Sequence, residues 1–481
     1  MYLTGYALVR DELSLNFSGS RQEADLSRTT GVPYLERFDV ATLSATLFNQ
    51  TTLDVGPGRT IALDNVLRSW FGTGSASVLG ALEVRPLTQA ASSTSTAAQR
   101  GLANLVTFAS SRTFNSTPDG TFGTFIAATP FANFVGRAEE DAAPRVLSLQ
   151  QIAQSPIYRT NLGFVEGSGN PVDLLVSVFN TAGTEVDRFP VALTGGQHLQ
   201  MGSVLEQRGV ALDDGRVEVQ VVSGTGKVTA YAAVVNNATG DALVVNPATL
   251  GEGGSTKYVL PGVAELTGGV VWQSDVRLFN AGDEPLTAKL SLHSMSGGTP
   301  QETTLELQPG EVRQLDRALV TLFGAANDGG ALHISTESES QLIATARTYR
   351  PSGDGSGNFG QFIEAVTPDQ ATAAGLRPLQ ILQVEESPRF RSNIGLAEVS
   401  GKPARVEITV IPPDAKVSAR LEADLGPNEF RQLNALLSAI GLRGTHNARV
   451  TVKVLSGEGR VTAYAATIDQ LTQDPTFIPA Q

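Results

Sequence analysis

The stretch Ser155-Pro156-Ile157-Tyr158-Arg159-Thr160-Asn161-Leu162-Gly163 recurs as Ser387-Pro388-Arg389-Phe390-Arg391-Ser392-Asn393-Ile394-Gly395. Downstream, Arg216-Val217-Glu218-Val219 and Lys227-Val228-Thr229-Ala230-Tyr231-Ala232-Ala233 recur in the same order as Arg449-Val450-Thr451-Val452 and Arg460-Val461-Thr462-Ala463-Tyr464-Ala465-Ala466. A second set of matches alternates with the first. Pro57-Gly58, Leu63-Asp64 and Phe71-Gly72 return as Pro309-Gly310, Leu315-Asp316 and Phe323-Gly324. Arg112-Thr113-Phe114 with Phe122-Gly123-Thr124-Phe125-Ile126 returns as Arg347-Thr348-Tyr349 with Phe359-Gly360-Gln361-Phe362-Ile363. Self-similarity at a long, fixed spacing marks a chain assembled from copies of one unit. The order of the matches makes this one a duplicated pair, A1-B1-A2-B2.

The A and B units are distant copies of each other. Pro309-Gly310-Glu311-Val312-Arg313-Gln314-Leu315-Asp316 parallels Pro427-Asn428-Glu429-Phe430-Arg431-Gln432-Leu433-Asn434. Each continues into apolar residues spaced by three and four, closed by Gly324 or Gly441, which predicts a helix of one or two turns. Val217 to Val222 and Val450 to Leu455 alternate with period two, as strands with one buried face do. Each is followed by a glycine turn, Ser223 to Gly226 or Ser456 to Gly459, and a second strand, which predicts an antiparallel hairpin. Short strands with turn signals and no strand–helix alternation predict an all-β chain of four antiparallel β-sandwiches, each with a short helix.

The repeat register sets the boundaries. Residues 1–30 form an N-terminal segment, 31–143 unit A1, 144–247 unit B1, 258–375 unit A2 and 376–481 unit B2. The Gly-rich stretch 248–257 reads as a linker. Unit A1 carries an insertion at 88–99, rich in Ser, Thr and Ala, which reads as a mobile surface loop. Each unit should bury its own core, with few contacts between residues 1–247 and 258–481. Leu3 to Ser14 matches the closing strand of B2, Val461 to Thr472. The chain thus opens on a strand in need of a sheet, and Leu3, Tyr6, Leu8 and Val9 are the candidate strand-exchange residues. Fold-back onto A1, or membership of a longer array, is favoured over donation to a neighbouring subunit.

Composition excludes several classes. With 48 Asp+Glu against 35 Lys+Arg, the net charge of −13 argues against nucleic acid and anionic membranes as partners. The absence of cysteine removes disulfides, thiolate metal sites and cysteine nucleophiles. No apolar run reaches the length of a membrane span, and Met1 to Glu12 has neither the basic start nor the apolar run of a signal peptide. The four histidines, His198, His293, His333 and His446, occupy different repeat positions and make no HExxH spacing. No nucleophile elbow or phosphate loop is present, so neither an enzyme nor a cofactor is expected.

One candidate metal site remains, a weak one for calcium. Asp354, Ser356 and Asn358 alternate oxygen donors along a Gly-rich loop, although no glutamate follows to complete a site and a plain hairpin loop accounts for the same residues. Arg112, Arg347, Arg159 and Arg391 recur by unit, and a guanidinium that satisfies local loop groups fits that recurrence better than an anion site. Tyr231 and Tyr464 read as core residues with a hydroxyl at the rim. Trp272 is the one aromatic placed to face a sugar, since Trp70 falls in a short helix.

The strand–Asn/Gly–Pro–strand opening, Leu278-Phe279-Asn280-Ala281-Gly282-Asp283-Glu284-Pro285, and the Pro-Gly turn before a short helix resemble tandem immunoglobulin-like repeats of secreted and cell-surface bacterial proteins. The resemblance covers about residues 40–481. It implies a non-catalytic structural or interaction protein at the bacterial surface or outside the cell, such as a stalk, surface-layer, adhesin or appendage component. Partners would be copies of itself or other surface proteins. A carbohydrate- or protein-binding surface module is the alternative.

Overall fold

The computed structural model describes residues 2–7, 11–21, 46–55, 58–69, 71, 78–87, 107–118, 120–139, 144–251, 253–355, 357–413 and 418–481. The chain is all-β, with 60% strand and 6% helix, too little helix to form a layer of its own. The described part of residues 2–127 holds β1 (Tyr2–Ala7), β2 (Asp11–Arg21), β3 (Thr46–Val55), β4 (Thr60–Leu63), β5 (Val78–Leu87), β6 (Thr107–Thr117) and β7 (Gly120–Ala127), in sheets β4-β1-β6-β7 and β3-β2-β5. Next come β8 (Val146–Leu149), β9 (Tyr158–Glu166), β10 (Val172–Asn180), β11 (Glu185–Leu193), β12 (His198–Met201), β13 (Gly215–Gly224), β14 (Val228–Asn236), β15 (Ala242–Val245) and β16 (Ala248–Leu250). They form sheets β11-β10-β13-β8-β16 and β12-β9-β14-β15.

The second half repeats this order. β17 (Ser255–Glu265), β18 (Gln273–Asn280), β19 (Leu286–Ser294), β20 (Gln301–Leu307), β21 (Val312–Leu315), β22 (Asp328–Ser340), β23 (Leu342–Pro351) and β24 (Asn358–Glu364) give sheets β17-β22-β19-β20 and β21-β18-β23-β24. β25 (Leu379–Glu386), β26 (Phe390–Glu398), β27 (Ala404–Ile411), β28 (Ala419–Leu425), β29 (Phe430–Leu433), β30 (Thr445–Gly457), β31 (Val461–Asp469) and β32 (Pro475–Pro479) give β25-β30-β27-β28 and β29-β26-β31-β32.

Alternation builds the cores. In β19, Leu286, Ala288, Leu290 and Leu292 are buried while Thr287 and Lys289 are exposed. Their cluster takes Leu290 and Leu332 from one sheet and Val276, Leu278 and Ala344 from the other, a sandwich-like packing. Each fully buried leucine of this kind contributes about 1.5–3 kcal/mol. Separate clusters form the same way around Leu174 and Phe164, and around Ile408 and Leu396. Short helices stand at Val66–Ser69, Val204–Gln207, Ala318–Phe323 and Leu436–Ala439, as the apolar spacing predicts in A2 and B2. All four start from a residue in the left-handed region, Asn65, Ser203, Arg317 or Ala435. The backbone N–H of Ser203, Arg317 and Ala435 is held by Asn161, Asp275 and Asn393 respectively, each on the second strand of its sheet pair.

The expected hairpins are absent. β13 lies between β10 and β8, and β14 between β9 and β15, so the glycine turn carries the chain from one sheet to the other. β30 and β31 behave likewise. Alternation fixes which face of a strand is buried but not which strand lies beside it, and both sheets face the same core. The corner is tight. A Cβ at Gly226 would lie 2.5 Å from the Asn170 carbonyl oxygen, and one at Gly459 2.3 Å from that of Lys402.

The N-terminal strand also takes a different place. β1 pairs with β4 (Leu3↔Leu63) and β6 (Tyr2↔Arg112), as β18 pairs with β21 (Val276↔Leu315) and β23 (Asp275↔Arg347). It therefore stands where the second strand of the other units stands, and the closing-strand place belongs to β6. The match to Val461–Thr472 rests on the short Thr-x-Tyr-Ala pattern of Thr4–Ala7 and Thr462–Ala465, which does not fix a strand's place in the sheet. Residues 2–7 and 11–21 are sheet partners of 46–127, so a boundary at residue 31 falls inside this pair of sheets. The 248–257 linker is shorter than its composition suggests, because β16 pairs with β8 and β17 begins at Ser255. Trp70 and the 88–99 insertion lie outside the described residues.

Candidate functional site at the meeting of four sheet edges

Four outer strands, β7, β15, β24 and β32, touch one another in cyclic order, so the sheets that carry them close around a common centre. Contacts between residues 1–247 and 258–481 are accordingly extensive rather than few. Repetition is visible in the result: matching turns on each half meet matching edges on the other. The Gly360 N–H donates to Asp241 Oδ2 at 3.0 Å, and the Gly123 N–H to Asp474 Oδ2 at 3.0 Å. Thr239 Oγ1 donates to the Asn358 carbonyl at 3.0 Å, as Thr472 Oγ1 does to that of Thr121 at 2.8 Å. Between these matched pairs, the rings of Phe122 and Phe359 lie 6.2 Å apart.

Farther out, the seam repeats again. Arg216 Nη1 donates to the Gly310 carbonyl and Arg449 Nη2 to the Gly58 carbonyl, each at 3.2 Å. Gln151 Nε2 reaches Thr345 Oγ1 and Gln383 Nε2 reaches Ser110 Oγ, each at 2.9 Å. Both glutamines are left-handed, with φ of 56° and 60°. That conformation costs a non-glycine residue about 1–2 kcal/mol, so the seam contacts hold a strained backbone. Arg277 adds an ion pair to Asp214.

The centre is acidic and buried. Asp241 and Asp474 are 3% and 1% exposed. Burial pushes the Asp241 carboxyl up to about 6, against the pull of the Gly360 N–H and the Arg347 charge. Burial, reinforced by the negative charge of Asp241, holds Asp474 well above the usual range despite the Gly123 N–H and Arg112. Asp469 goes the other way. Burial raises it, but bonds from the Thr121 hydroxyl (2.7 Å) and N–H (2.9 Å), and from Leu471 and Thr472, outweigh that and lower it.

Of the recurring arginines, Arg347 and Arg112 reach across to the other half of the chain, while Arg159 and Arg391 serve nearby turns. Arg347 donates to the Tyr158 hydroxyl at 2.7 Å and to Asn358 Oδ1, and its guanidinium lies over the rings of Tyr158 and Tyr349. Arg112 lies over Phe390 and Phe114. Arg159 and Arg391 each donate to a turn amide, Asn237 Oδ1 at 2.8 Å and Gln473 Oε1 at 3.0 Å. The tyrosines also match. Tyr231 lies across from Gly163 and Tyr464 across from Gly395.

The calcium candidates do not converge. Asp354 Oδ1 accepts from Ser352 Oγ at 2.7 Å, whereas Asn358 faces Arg347 and donates to the Tyr158 hydroxyl at 2.6 Å. Ser356 lies outside the described residues. Among the described residues no three His, Asp or Glu side chains are grouped to hold a metal. Chelator should therefore leave the Tm of the purified chain unchanged; a clear drop would restore the loop as a calcium site. Of the strand-exchange candidates, Leu3 and Tyr6 lie in β1 between β4 and β6, while Leu8 and Val9 are outside the described residues. His198 bonds to the Tyr231 hydroxyl at 3.0 Å, His446 to Glu385 at 2.8 Å, and His293 packs against His333.

Sequence reading missed the acids that hold the turns. Glu166 accepts from the N–H groups of Ser168, Gly169, Gly196 and Lys227, and from Ser168 Oγ. Glu398 repeats the arrangement with Ser400, Gly401, Lys402, Asn428 and Arg460. The signal was the repeated Glu-x-Ser-Gly-x-Pro, Glu166 to Pro171 and Glu398 to Pro403. Likewise Asn236 to Asp241 matches Asp469 to Asp474, which marks the central acids. No protein-family model, curated protein or solved structure matches the chain.

Proposed function

We propose that the chain is a non-catalytic structural and interaction protein of the bacterial surface or exterior, built from four tandem immunoglobulin-like sandwich modules, A1-B1-A2-B2. The observation that carries this reading is the closure of four sheet edges by turn residues repeated in both halves, Asp241 with Gly360 and Asp474 with Gly123. The acids at the centre accept from backbone groups of the facing sheets, which suits a rigid building block. Closure also favours a compact node over an extended stalk among the surface roles considered.

Strand pairing supports the immunoglobulin-like comparison in part. In each unit the second strand pairs with the fifth and the third with the sixth, as β18 with β21 and β19 with β22. Immunoglobulin sandwiches share those pairs. The first and seventh strands have exchanged sheets, however, with β17 on β22 and β23 on β18.

Two experiments test the reading. Protease added to intact producing cells should degrade the chain; protection until lysis would remove the surface assignment. Residues 1–250 and 255–481, made as separate chains in one cell, should copurify through the repeated seam. Failure to associate would show that closure is too weak for a rigid block. The second reading, glycan binding, rests on Trp272, which stays partly exposed beside its bridge to Leu266. A glycan-array signal lost in Trp272→Ala would favour it.

A further inference from the structure

We propose that the groove between β5 of unit A1 and the outer face of unit B1 accepts an extended strand from a second polypeptide, one with apolar residues at alternate positions and a small or β-branched residue between them. The inference goes beyond the rigid-block reading and does not depend on where the chain resides.

The two halves of the chain differ at this edge. Gly80-Ala81-Leu82-Glu83-Val84 in β5 corresponds to Gly330-Ala331-Leu332-His333-Ile334 in β22. The register agrees: Leu82 lies across from Phe17 and Val84 from Leu15, as Leu332 lies across from Leu292 and Ile334 from Leu290. β22 stands between β19 and β17, whereas β5, among the described residues, pairs with β2 alone. On β22 the added strand sets Leu260 across from Leu332 and Tyr258 across from Ile334, and all four side chains are buried. Leu82 and Val84 pack against the A1 core but stay half-buried. An apolar edge of this kind is a template for a further strand.

The face of B1 differs along the same line. In the second half β17 also packs against β26, Val259 joins a cluster with Ala397, Tyr464 and Ala466, and the Tyr464 hydroxyl approaches Gly262. Those three B2 residues are buried. Their counterparts in B1, Val165, Tyr231 and Ala233, are each half-buried. The walls of the groove are otherwise alike, since β12 lies against β2 and β5 as β29 lies against β22. A strand laid there therefore extends the contact that A1 and B1 already make. The chemistry of β17 defines what fits. Tyr258 and Leu260 enter the core, Val259 between them meets the B face, and all three are buried, so a charge at any of these places would be desolvated without a partner. Main-chain hydrogen bonds to β5 supply affinity and the alternate side chains specificity. β17 itself is engaged with β22 from Ser255 to Glu265, so the strand comes from elsewhere.

The test uses the full chain and, as probe, a fluorescein-labelled peptide of the sequence Ser255–Glu265. The peptide should bind saturably, raise the Tm, and slow hydrogen exchange in residues 78–87 and around Tyr231. Tyr258→Lys and Leu260→Lys together in the peptide should weaken binding about a hundredfold or more, since two buried apolar side chains are lost. Both substitutions lie in the peptide, so the fold of the chain is untouched. Absence of binding, or equal binding by the substituted peptide, would overturn the proposal. So would protection confined to residues 328–340, because the peptide would then have displaced β17. Exchange in 78–87 that is already as slow as in 328–340 without peptide would also overturn it, by showing that the chain covers this edge itself.

Discussion

Glu398→Ala should destabilise the chain by about 3–5 kcal/mol, the loss expected when one partner of a buried charged network is removed. The Glu398 side chain has no exposed surface, and its two oxygens together satisfy five backbone N–H groups and one hydroxyl. Those donors come from three separate segments: the turn after β26, the corner at Arg460 between β30 and β31, and the turn at Asn428. One carboxylate therefore fixes the place where the chain crosses between sheets. Alanine takes the acceptor from all of these donors, and only the Arg460 N–H keeps a second one, Ser400 Oγ. Glutamine is nearly as damaging because its amide nitrogen would face N–H donors. Urea unfolding followed by tryptophan-independent circular dichroism reads the loss, and a change below about 1 kcal/mol would refute the role. Glu166→Ala should behave alike. Burial raises the Glu166 carboxyl, but the N–H groups of Gly196, Ser168 and Lys227 more than offset this and lower it. Its stabilisation is present above the ordinary glutamate value and disappears as pH falls through the lowered one.

Gly395→Ala should cost about 3 kcal/mol, at the upper end of the range for overpacking a filled core. Gly395 lies directly across from Tyr464, whose ring covers it; a Cβ there would stand 2.1 Å from Tyr464 Cε1. The ring has nowhere to go. It is 2% exposed, lies 4.9 Å from the Phe477 ring, and its hydroxyl approaches Gly262 of the neighbouring sheet pair. Gly163→Ala repeats the clash at Tyr231, but that ring is only partly buried and ends at Gln200 and His198, so it has room to tilt. The Tm loss should therefore be larger at 395 than at 163. Equal losses would mean that the seam around Tyr464 is soft.

Much of the architecture was legible in the residues. Turn signals without strand–helix alternation gave the all-β class, period-two alternation gave strands such as β19 and β30, and spacing of three and four gave the short helices at Ala318–Phe323 and Leu436–Ala439. These features depend on a few neighbouring residues, so sequence distance and spatial distance coincide. The candidate site was less legible. Asp354 and Asn358 were picked for their spacing along a loop, yet Asn358 is drawn away by Arg347, a residue on the adjacent strand.

The sequence by itself determined the repeated unit, the buried face of each strand and the positions of the turns, because alternation, glycine placement and capping are local matters. Only the tertiary structure decided which strand lies beside which. β13 and β14 carry a hairpin signature and part into opposite sheets, because Glu166 holds the corner and a common core rewards either arrangement. It also decided that Asp241 and Asp474, more than two hundred residues apart, are both buried where β7, β15, β24 and β32 close. The local repeat marks the two turns but not their meeting, since the Gly360 and Gly123 N–H groups that each acid accepts from lie on the other half of the chain.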